Sequence, residues 1–385
     1  MEEARNAILN AELEAIRASG LERSTDRPTR GIDFTSNDYL GLSRHPAVVE
    51  AGLEALRRSG AGAGAARLLA GPLETHAAVE ARVAEWVDSE AALLFPSGFQ
   101  ANHGVLGVLA GPGDTIHSDR LVHASLIDAA RASRATVWVH DHLDLDHLER
   151  DLRLARRARR RIVVTEGIFS MDGDAAPIEA MCELCLRHDA WLVVDEAHTV
   201  GLVGPHGAGL VAAAAAAGAP TEAVAARVVT GGKALGVGGA LVTGSRPLRE
   251  LLVNRARSFV FTTASPPALA ASLQAAVDIA AEDGERRERC LRLSRSIALG
   301  LGLREPAGAI VPAIVPGNAA VTATAARLEQ AGFGVRAVRS PTVPVGAERL
   351  RLVAHSFNTE EQVDRLVEAV RSDGIAVAAK LGGPP

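Results

Sequence analysis

Apolar and polar positions change period several times along this chain. Residues 2–19 place Ala4, Ile8, Leu9, Leu13 and Ile16 near one face of a helix, and the polar stretch from Arg23 to Arg30 predicts a linker after it. From about residue 46 to 243, helical patterns alternate with short runs that are almost wholly apolar: Ala91 to Phe95, Thr136 to Val139, Ile162 to Thr165, Trp191 to Val194, Val228 to Thr230 and Ala240 to Thr243. Strands with no polar face must be covered on both sides, so the alternation predicts an α/β fold with a mostly parallel sheet flanked by helices. Pro266-Pro267 opens a further helical pattern that continues, across the charged break Glu282 to Glu288, to about Leu303. Beyond it, Ile310 to Val315, a helix near 320–331, Leu350 to Val353 and a last helix from Thr359 predict a smaller α+β unit. The expected organisation is a helix and linker over 1–45, a large domain over 46–280 and a small C-terminal domain over 281–385.

Composition narrows the partners. The chain is 48% hydrophobic and 23% charged with a net charge of −5, an ordinary soluble balance that argues against nucleic acid. The run Arg153 to Arg161 has no aromatic partners and lies at a helix end, where positive charge suits the helix dipole. Val211 to Ala217, the most uniform nonpolar run, is far below the ~20 residues of a membrane helix and reads as helix or loop. Only Cys182, Cys185 and Cys290 occur, which suits a reducing compartment without a disulfide framework. Cys182 and Cys185 share a helical pattern with Ile178, Met181 and Leu184 and lack a second ligand pair, so burial is expected there rather than zinc. His140, His142 and His147 alternate with Asp141, Asp144 and Asp146, a pattern read as loop and helix-cap chemistry; no metal is expected. The start, Met1-Glu2-Glu3-Ala4-Arg5, carries two acids and no apolar signal stretch, and the expected location is the cytoplasm.

Asp195-Glu196-Ala197-His198 spells a helicase box, but such an enzyme needs a G-x-x-x-x-G-K-[ST] phosphate loop, and none exists. Around Gly232-Lys233 the first glycine is replaced by Arg227 and the hydroxyl residue by Ala234. Gly60 to Gly64 lacks both a preceding strand and the G-x-x-G closure of a dinucleotide site. What remains is positional. Asp195 and His198 directly follow one apolar run and Lys233 follows the next, and ligands of open parallel sheets bind at the carboxyl ends of strands. A lysine for a Schiff base and an acid for a pyridinium nitrogen are what pyridoxal phosphate requires. Asp195 would keep that nitrogen protonated, His198 would hydrogen-bond the ring phenolate, and a desolvated Lys233 would serve as amine and proton shuttle.

Several ordered segments extend this. Phe34-Thr35-Ser36-Asn37-Asp38-Tyr39-Leu40-Gly41-Leu42, Phe95 to Asn102, Asp119 to Asp128, Glu166 to Asp174, Pro341-Thr342-Val343-Pro344 and Arg349-Leu350-Arg351 resemble the signatures of the α-oxoamine synthases, a family of pyridoxal-phosphate enzymes. The resemblance covers the chain from about Asp33 to the last helix. It implies an aminotransferase-like, fold-type-I large domain, a homodimer with sites at the interface, and decarboxylative condensation of an amino acid with an acyl thioester. It also implies roles: Lys233 for the Schiff base, Asp195 on the pyridine nitrogen, His198 and Ser170 at the phenolic oxygen, and His123 stacked on the ring. Gly98, Phe99 and Thr230 would hold the phosphate, which accords with free N–H groups at a helix start after Ser97. Arg351 with Asn37 would fix the amino-acid carboxylate, a task suited to a planar guanidinium. Thr342 and an N-terminal arginine, Arg23, would border the acyl group.

Two positions depart from the family pattern. Gly231 stands where members carry a bulky residue, and Ala66 stands where they tend to have serine or threonine. The smaller Ala66 leaves room for a methyl group, which favours L-alanine as the amino acid; for the acyl partner the resemblance implies a long-chain thioester, pimeloyl-CoA or its carrier-protein form. The alternatives are a glycine-using member of the same family and, in another class, a non-catalytic cofactor-binding scaffold.

Overall fold

The computed structural model describes residues 1–25, 30–70 and 73–372; residues 26–29 of the expected linker and 373–385 of the expected C-terminal domain lie outside the described residues. In chain order the strands begin with β1 (Ile32–Asp33), β2 (Ala91–Phe95), β3 (Thr115–Asp119), β4 (Thr136–His140), β5 (Arg161–Glu166) and β6 (Trp191–Asp195). They continue with β7 (Val224–Thr230), β8 (Ala240–Gly244), β9 (Ile310–Ile314), β10 (Phe333–Gly334), β11 (Ala337–Val338) and β12 (Arg349–Val353). Seven form one sheet in the order β2-β8-β7-β6-β5-β3-β4, parallel except for β8, which runs antiparallel to both its neighbours.

Each of the short apolar runs between residues 46 and 243 that predict strands is a strand of this sheet, and Ile310 to Val315 and Leu350 to Val353 supply β9 and β12 of a second, three-stranded sheet. In β2, β7 and β8 successive residues go to different cores, as the two-residue period of a strand requires: Leu93, Phe95, Val228 and Val242 to one, Ala92, Leu94, Val229 and Leu241 to the other. The second core also takes Tyr39, Leu40 and Leu42 together with the helices Glu74–Trp86 and Pro267–Glu282. A third core gathers around β9, β12 and the helix Glu360–Ser372, and Phe34 joins it from the N-terminal side because β1 pairs in parallel with β10.

The strand of the seven-stranded sheet that no apolar run announces is β3, Thr-Ile-His-Ser-Asp, which is buried along its whole length despite its polarity. Most of its polar atoms find partners, although His117 Nδ1 has none among the described residues. Thr115 Oγ1 lies 3.0 Å from His117 Nε2, Ser118 Oγ donates to the Asp119 carbonyl, and Asp119 Oδ1 accepts from the backbone of Leu121. A satisfied buried polar group is tolerated, and a hydropathy pattern does not register that satisfaction.

The N-terminal pattern forms its helix, Glu2–Ala18, but nothing on it is buried, and Ile8, Leu9, Leu13 and Ile16 all stay exposed. All three cysteines are free and buried, and burial raises the Cys182 and Cys185 thiols to about 11 and about 12, so both behave as small apolar residues. The arginine run is absorbed locally: Arg153 pairs with Glu149, Arg159 with Asp114 and Arg161 with Asp189, while Arg160 lies over the Trp191 ring. Asp144 caps the helix Leu145–Leu154 by accepting from His147 N, and His147 Nδ1 accepts from Asp141 N, in line with the capping expectation. Among the described residues, no helix is long and apolar enough to cross a membrane.

His117 gives β3 a measurable signature. Burial, with help from His140 and Arg161, lowers its pKa from 6.5 to about 4. The unfolded chain therefore takes up this proton near its ordinary value, while the folded chain resists until about pH 4, so the stabilisation is present above pH 6.5 and is lost as pH falls through that window. The shift corresponds to about 3 kcal/mol. Urea midpoints measured from pH 7.5 to 4 should fall less steeply for His117→Gln than for the native chain; superimposable profiles would contradict this.

Candidate active site

Three adjacent parallel strands deliver charge to one edge of the sheet. β5 ends on Glu166, β6 on Asp195 and β7 on Thr230, with Glu166 opposite Asp195 and Asp195 opposite Val228 in the ladder. The segments that leave these strands and β3 carry Ser170, His198, Lys233 and His123. Because parallel strands all point their carboxyl ends the same way, residues far apart in sequence meet there without any long-range design beyond register.

Asp195 is buried and held on both oxygens: Oδ1 accepts from the backbone of Ala197 at 3.0 Å, and Oδ2 from Asn102 Nδ2 at 2.8 Å. The same Asn102 amide donates to Ser125 Oγ, which lies 2.8 Å from His123 Nδ1. His123 caps the helix Ala124–Ala132 and leaves much of its ring exposed at the mouth of the site. Lys233 Nζ lies 2.8 Å from His198 Nε2, and His198 Nδ1 lies 2.6 Å from Tyr39 Oη. Tyr39 in turn donates to Asn37 Oδ1 at 3.1 Å, and Arg351 donates to the same oxygen at 3.0 Å. Since a lysine ammonium can only donate, His198 receives at Nε2, carries its proton on Nδ1 and gives it to Tyr39. One continuous chain thus runs from Lys233 to Arg351.

Burial moves the titrations at this edge in a consistent sense. It lowers the Lys233 amine, aided by Arg351 and opposed by Asp195 and Glu166, so less energy is needed to deprotonate it. His198 is held well below its ordinary value by burial and then by Lys233, Arg351 and His123, and stays neutral. Burial and then Asp195 raise Glu166 to about 8, which makes it an acid that keeps its proton at neutral pH.

Arg351 is buried, contrary to the usual place of a strand arginine; its Nε donates to the Ser170 carbonyl at 2.7 Å, which leaves its outer edge beside Asn37 for an anion. Gly98 and Phe99 open the helix Gly98–Leu109 behind the cap Ser97, and Thr230 Oγ1 sits so close that a side chain at Gly98 would meet it at 3.1 Å. Free N–H groups and a hydroxyl meeting at a helix start suit a phosphate. At the other end, Arg23 Nη2 reaches Thr342 Oγ1 at 3.4 Å, and both line a cleft of about 340 Å³ that extends to Met171 beside Ser170. Ala66 is half-buried on a loop whose contacts run to Ala264 and, through Arg67, to Glu80.

Sequence reasoning passed over Tyr39, Asn102, Ser125 and Glu166. Tyr39, Asn102 and Ser125 lay inside the quoted segments without a role, and Glu166 ends an apolar run as Asp195 does, a signal that was available. Glu196, the second letter of the misleading box, is structural: it is buried against Arg227 and accepts from Thr199 Oγ1 and the backbone of Val211. Gly231 also finds its reason. It accepts from Val237 N and donates to Gly239 O, and a Cβ there would lie 2.3 Å from the Gly238 carbonyl oxygen.

The family model described as aminotransferase class I and II matches residues 29–370. A protein named 8-amino-7-oxononanoate synthase from Anaeromyxobacter dehalogenans is 45% identical, over 95% of this chain and 96% of its own. The chain belongs to the 8-amino-7-oxononanoate synthase family. Among solved structures, serine palmitoyltransferase from Sphingomonas wittichii superposes with a TM-score of 0.87 at 31% identity, covering 95% of this chain and 96% of that one. A serine palmitoyltransferase from S. paucimobilis with a bound PLP–myriocin aldimine gives 0.87 at 27%, over 96% and 98%. The family's fold is therefore the aminotransferase-like fold of pyridoxal-phosphate enzymes, and the residues here fit that cofactor: an enclosed lysine amine, a buried aspartate already aligned by two donors, an open histidine face and a helix start for the phosphate.

The tight Gly231 turn carries Lys233, so it can be tested separately from the chemistry. Gly231→Ala forces the turn away from Gly238 and is expected to destabilise the chain by about 1–3 kcal/mol, read as a lower thermal midpoint. An unchanged midpoint would mean that the close approach is not a constraint.

Proposed function

We propose that the chain condenses L-alanine with a pimeloyl thioester, pimeloyl-CoA or its carrier-protein form, a step of biotin biosynthesis. A carbon–carbon bond forms between the alanine Cα and the thioester carbonyl carbon, the thiol leaves, and the alanine carboxyl departs as carbon dioxide. Bound pyridoxal phosphate supplies an aldehyde for linkage to amines and a ring that stores the electrons released at Cα. The observation that carries the reading is the unbroken chain from Lys233 through His198, Tyr39 and Asn37 to Arg351, which joins a proton-transfer group to a carboxylate-binding group.

In this reading each residue has one task. Asp195 faces the ring nitrogen, and the donors Asn102 and Ala197 keep its carboxylate fixed. His198 and Ser170 serve the phenolic oxygen, and His123 covers the ring face. Gly98, Phe99 and Thr230 take the phosphate. Arg351 and Asn37 hold the alanine carboxylate, so that Cα is presented to Lys233, whose lowered pKa lets it take the proton and later return one. Arg23 and Thr342, in their cleft, border the acyl chain.

The reading includes a homodimer in the cytoplasm. Its support is an exposed apolar patch where the helices Arg67–Ala70, Gly98–Leu109 and Arg257–Val260 meet, with Leu69, Phe99 and Phe261 outward, and three buried thiols without a disulfide. A glycine-using enzyme is disfavoured by the names of the relatives, and a scaffold by the complete set of polar groups around Lys233.

A matrix of alanine, glycine and serine against acyl-CoA thioesters of increasing length is expected to peak at alanine with pimeloyl-CoA. A peak at glycine or serine would overturn the assignment. Arg351→Ala should raise KM for the amino acid about 10- to 100-fold, the worth of one or two charged hydrogen bonds, with a smaller effect on KM for the thioester.

A further inference from the structure

Just past β4, His142 enters the interior between two carboxylates. Its Nδ1 lies 3.0 and 3.1 Å from the two oxygens of Asp119, at the end of β3, and its Nε2 lies 3.0 Å from Asp174 Oδ2. All three side chains are largely buried, and the ring meets the edge of Phe169 at 4.5 Å and 89°. Two carboxylates on opposite ring nitrogens both require a donor, so the geometry calls for imidazolium.

The far carboxylate belongs to a turn that the site depends on. Phe169 N donates to the Asp174 carbonyl and Gly173 N to the Phe169 carbonyl, closing residues 169–174 on themselves. Within that turn Ser170 N donates to Glu166, and the Ser170 carbonyl receives Arg351 Nε. Arg349 grips the same turn at the Met171 carbonyl and the Asp172 carboxylate. The turn is therefore held by β12 on one side and by His142, through Asp174, on another.

We propose that His142 is a positioning residue: clamped between Asp119 and Asp174, it sets the Ser170 turn and, through the Ser170 carbonyl, the orientation of Arg351, without touching substrate or cofactor. The inference rests on the reading of Arg351 and Ser170 given above. Its alternative is a purely structural ion triad, which would stabilise the fold and leave substrate binding unaffected.

The clamp should have a pH limit. Burial acts to lower the His142 pKa, but hydrogen bonds and charge from Asp119 and Asp174 outweigh it and raise the value to about 9. Charged and titratable groups nearby include Asp141 with its partners Arg120 and His147, and Asp172 with Arg349 beyond Asp174. Below about pH 9 the ring bridges both carboxylates; above it a neutral ring can donate to only one, and the other faces a lone pair.

The test uses the full-length holoenzyme and its His142→Gln variant, measuring kcat and KM for alanine from pH 7 to 10, the pH titration of the cofactor's visible absorbance, and thermal midpoints. KM for alanine in the native enzyme should rise through pH 9 relative to the variant, whose profile carries the substrate's own amine titration and serves as the control. At pH 7.5 the variant should show a KM about tenfold higher with kcat changed far less, the scale of one misplaced charged hydrogen bond, and a shifted absorbance titration because Ser170 moves. Equal KM ratios and superimposable absorbance titrations at every pH would overturn the proposal, even with a lowered thermal midpoint. If the variant does not fold, Asp174→Asn takes its place, judged against the native enzyme by the same KM ratios and absorbance titrations. Absence of turnover with alanine would instead sink the functional reading, and the absorbance titrations with and without alanine would still judge His142.

Discussion

A lysine amine and two carboxyl groups are buried together at one edge of a parallel sheet, and that crowding governs much of the rest of the architecture. Glu166, Asp195 and Lys233 arrive there because β5, β6 and β7 are neighbours in fixed register. Left unpartnered, such groups would cost several kcal/mol each. The surrounding residues answer that cost: Asn102 and Ala197 fix Asp195, Ser170 N binds Glu166, and His198 with Tyr39 accepts from and relays for Lys233. The remaining imbalance shifts the titrations, with Glu166 raised and Lys233 lowered. Glu166 therefore keeps its proton at neutral pH, and the Lys233 amine loses its own more easily than a free lysine.

The same electrostatic economy explains the outer parts of the site. Arg351 would be costly to bury alone, yet it is spread over Ser170 and Asn37, and it lies within 3.4 Å of Tyr39 Oη. Asp119 and Asp174 are balanced by His142 in the same manner. Arg351, Lys233 and the Ser170 turn are thus joined in one hydrogen-bonded network.

Much of this was legible in the sequence, for physical reasons. Buried strands must be apolar, so the runs that became β2 and β5 to β8 stood out, and the acid and lysine at the ends of β6 and β7 marked the site; β4 is apolar too, but as an edge strand it is largely exposed. β3 did not stand out, because Thr115 and Asp119 satisfy their polar groups internally and through neighbouring loops that no local pattern reveals, and His117 does so at Nε2. Tyr39 was equally hidden, since its partner His198 is remote in sequence. The period of the N-terminal helix was legible and its full exposure was not, because amphipathicity states which face is apolar and not what covers it. Gly231 looked like an unexplained departure until the return of the chain at Gly238 was visible.

Lys233, with its enclosed amine, is proposed to form the covalent link to pyridoxal phosphate. Borohydride reduction of the cofactor-loaded protein, followed by peptide mass analysis, decides the point. A single reduced pyridoxyl adduct is expected on Lys233, suppressed when excess alanine occupies the site before reduction. A protein that takes up no adduct, or one labelled on its other lysine, Lys380, would contradict it.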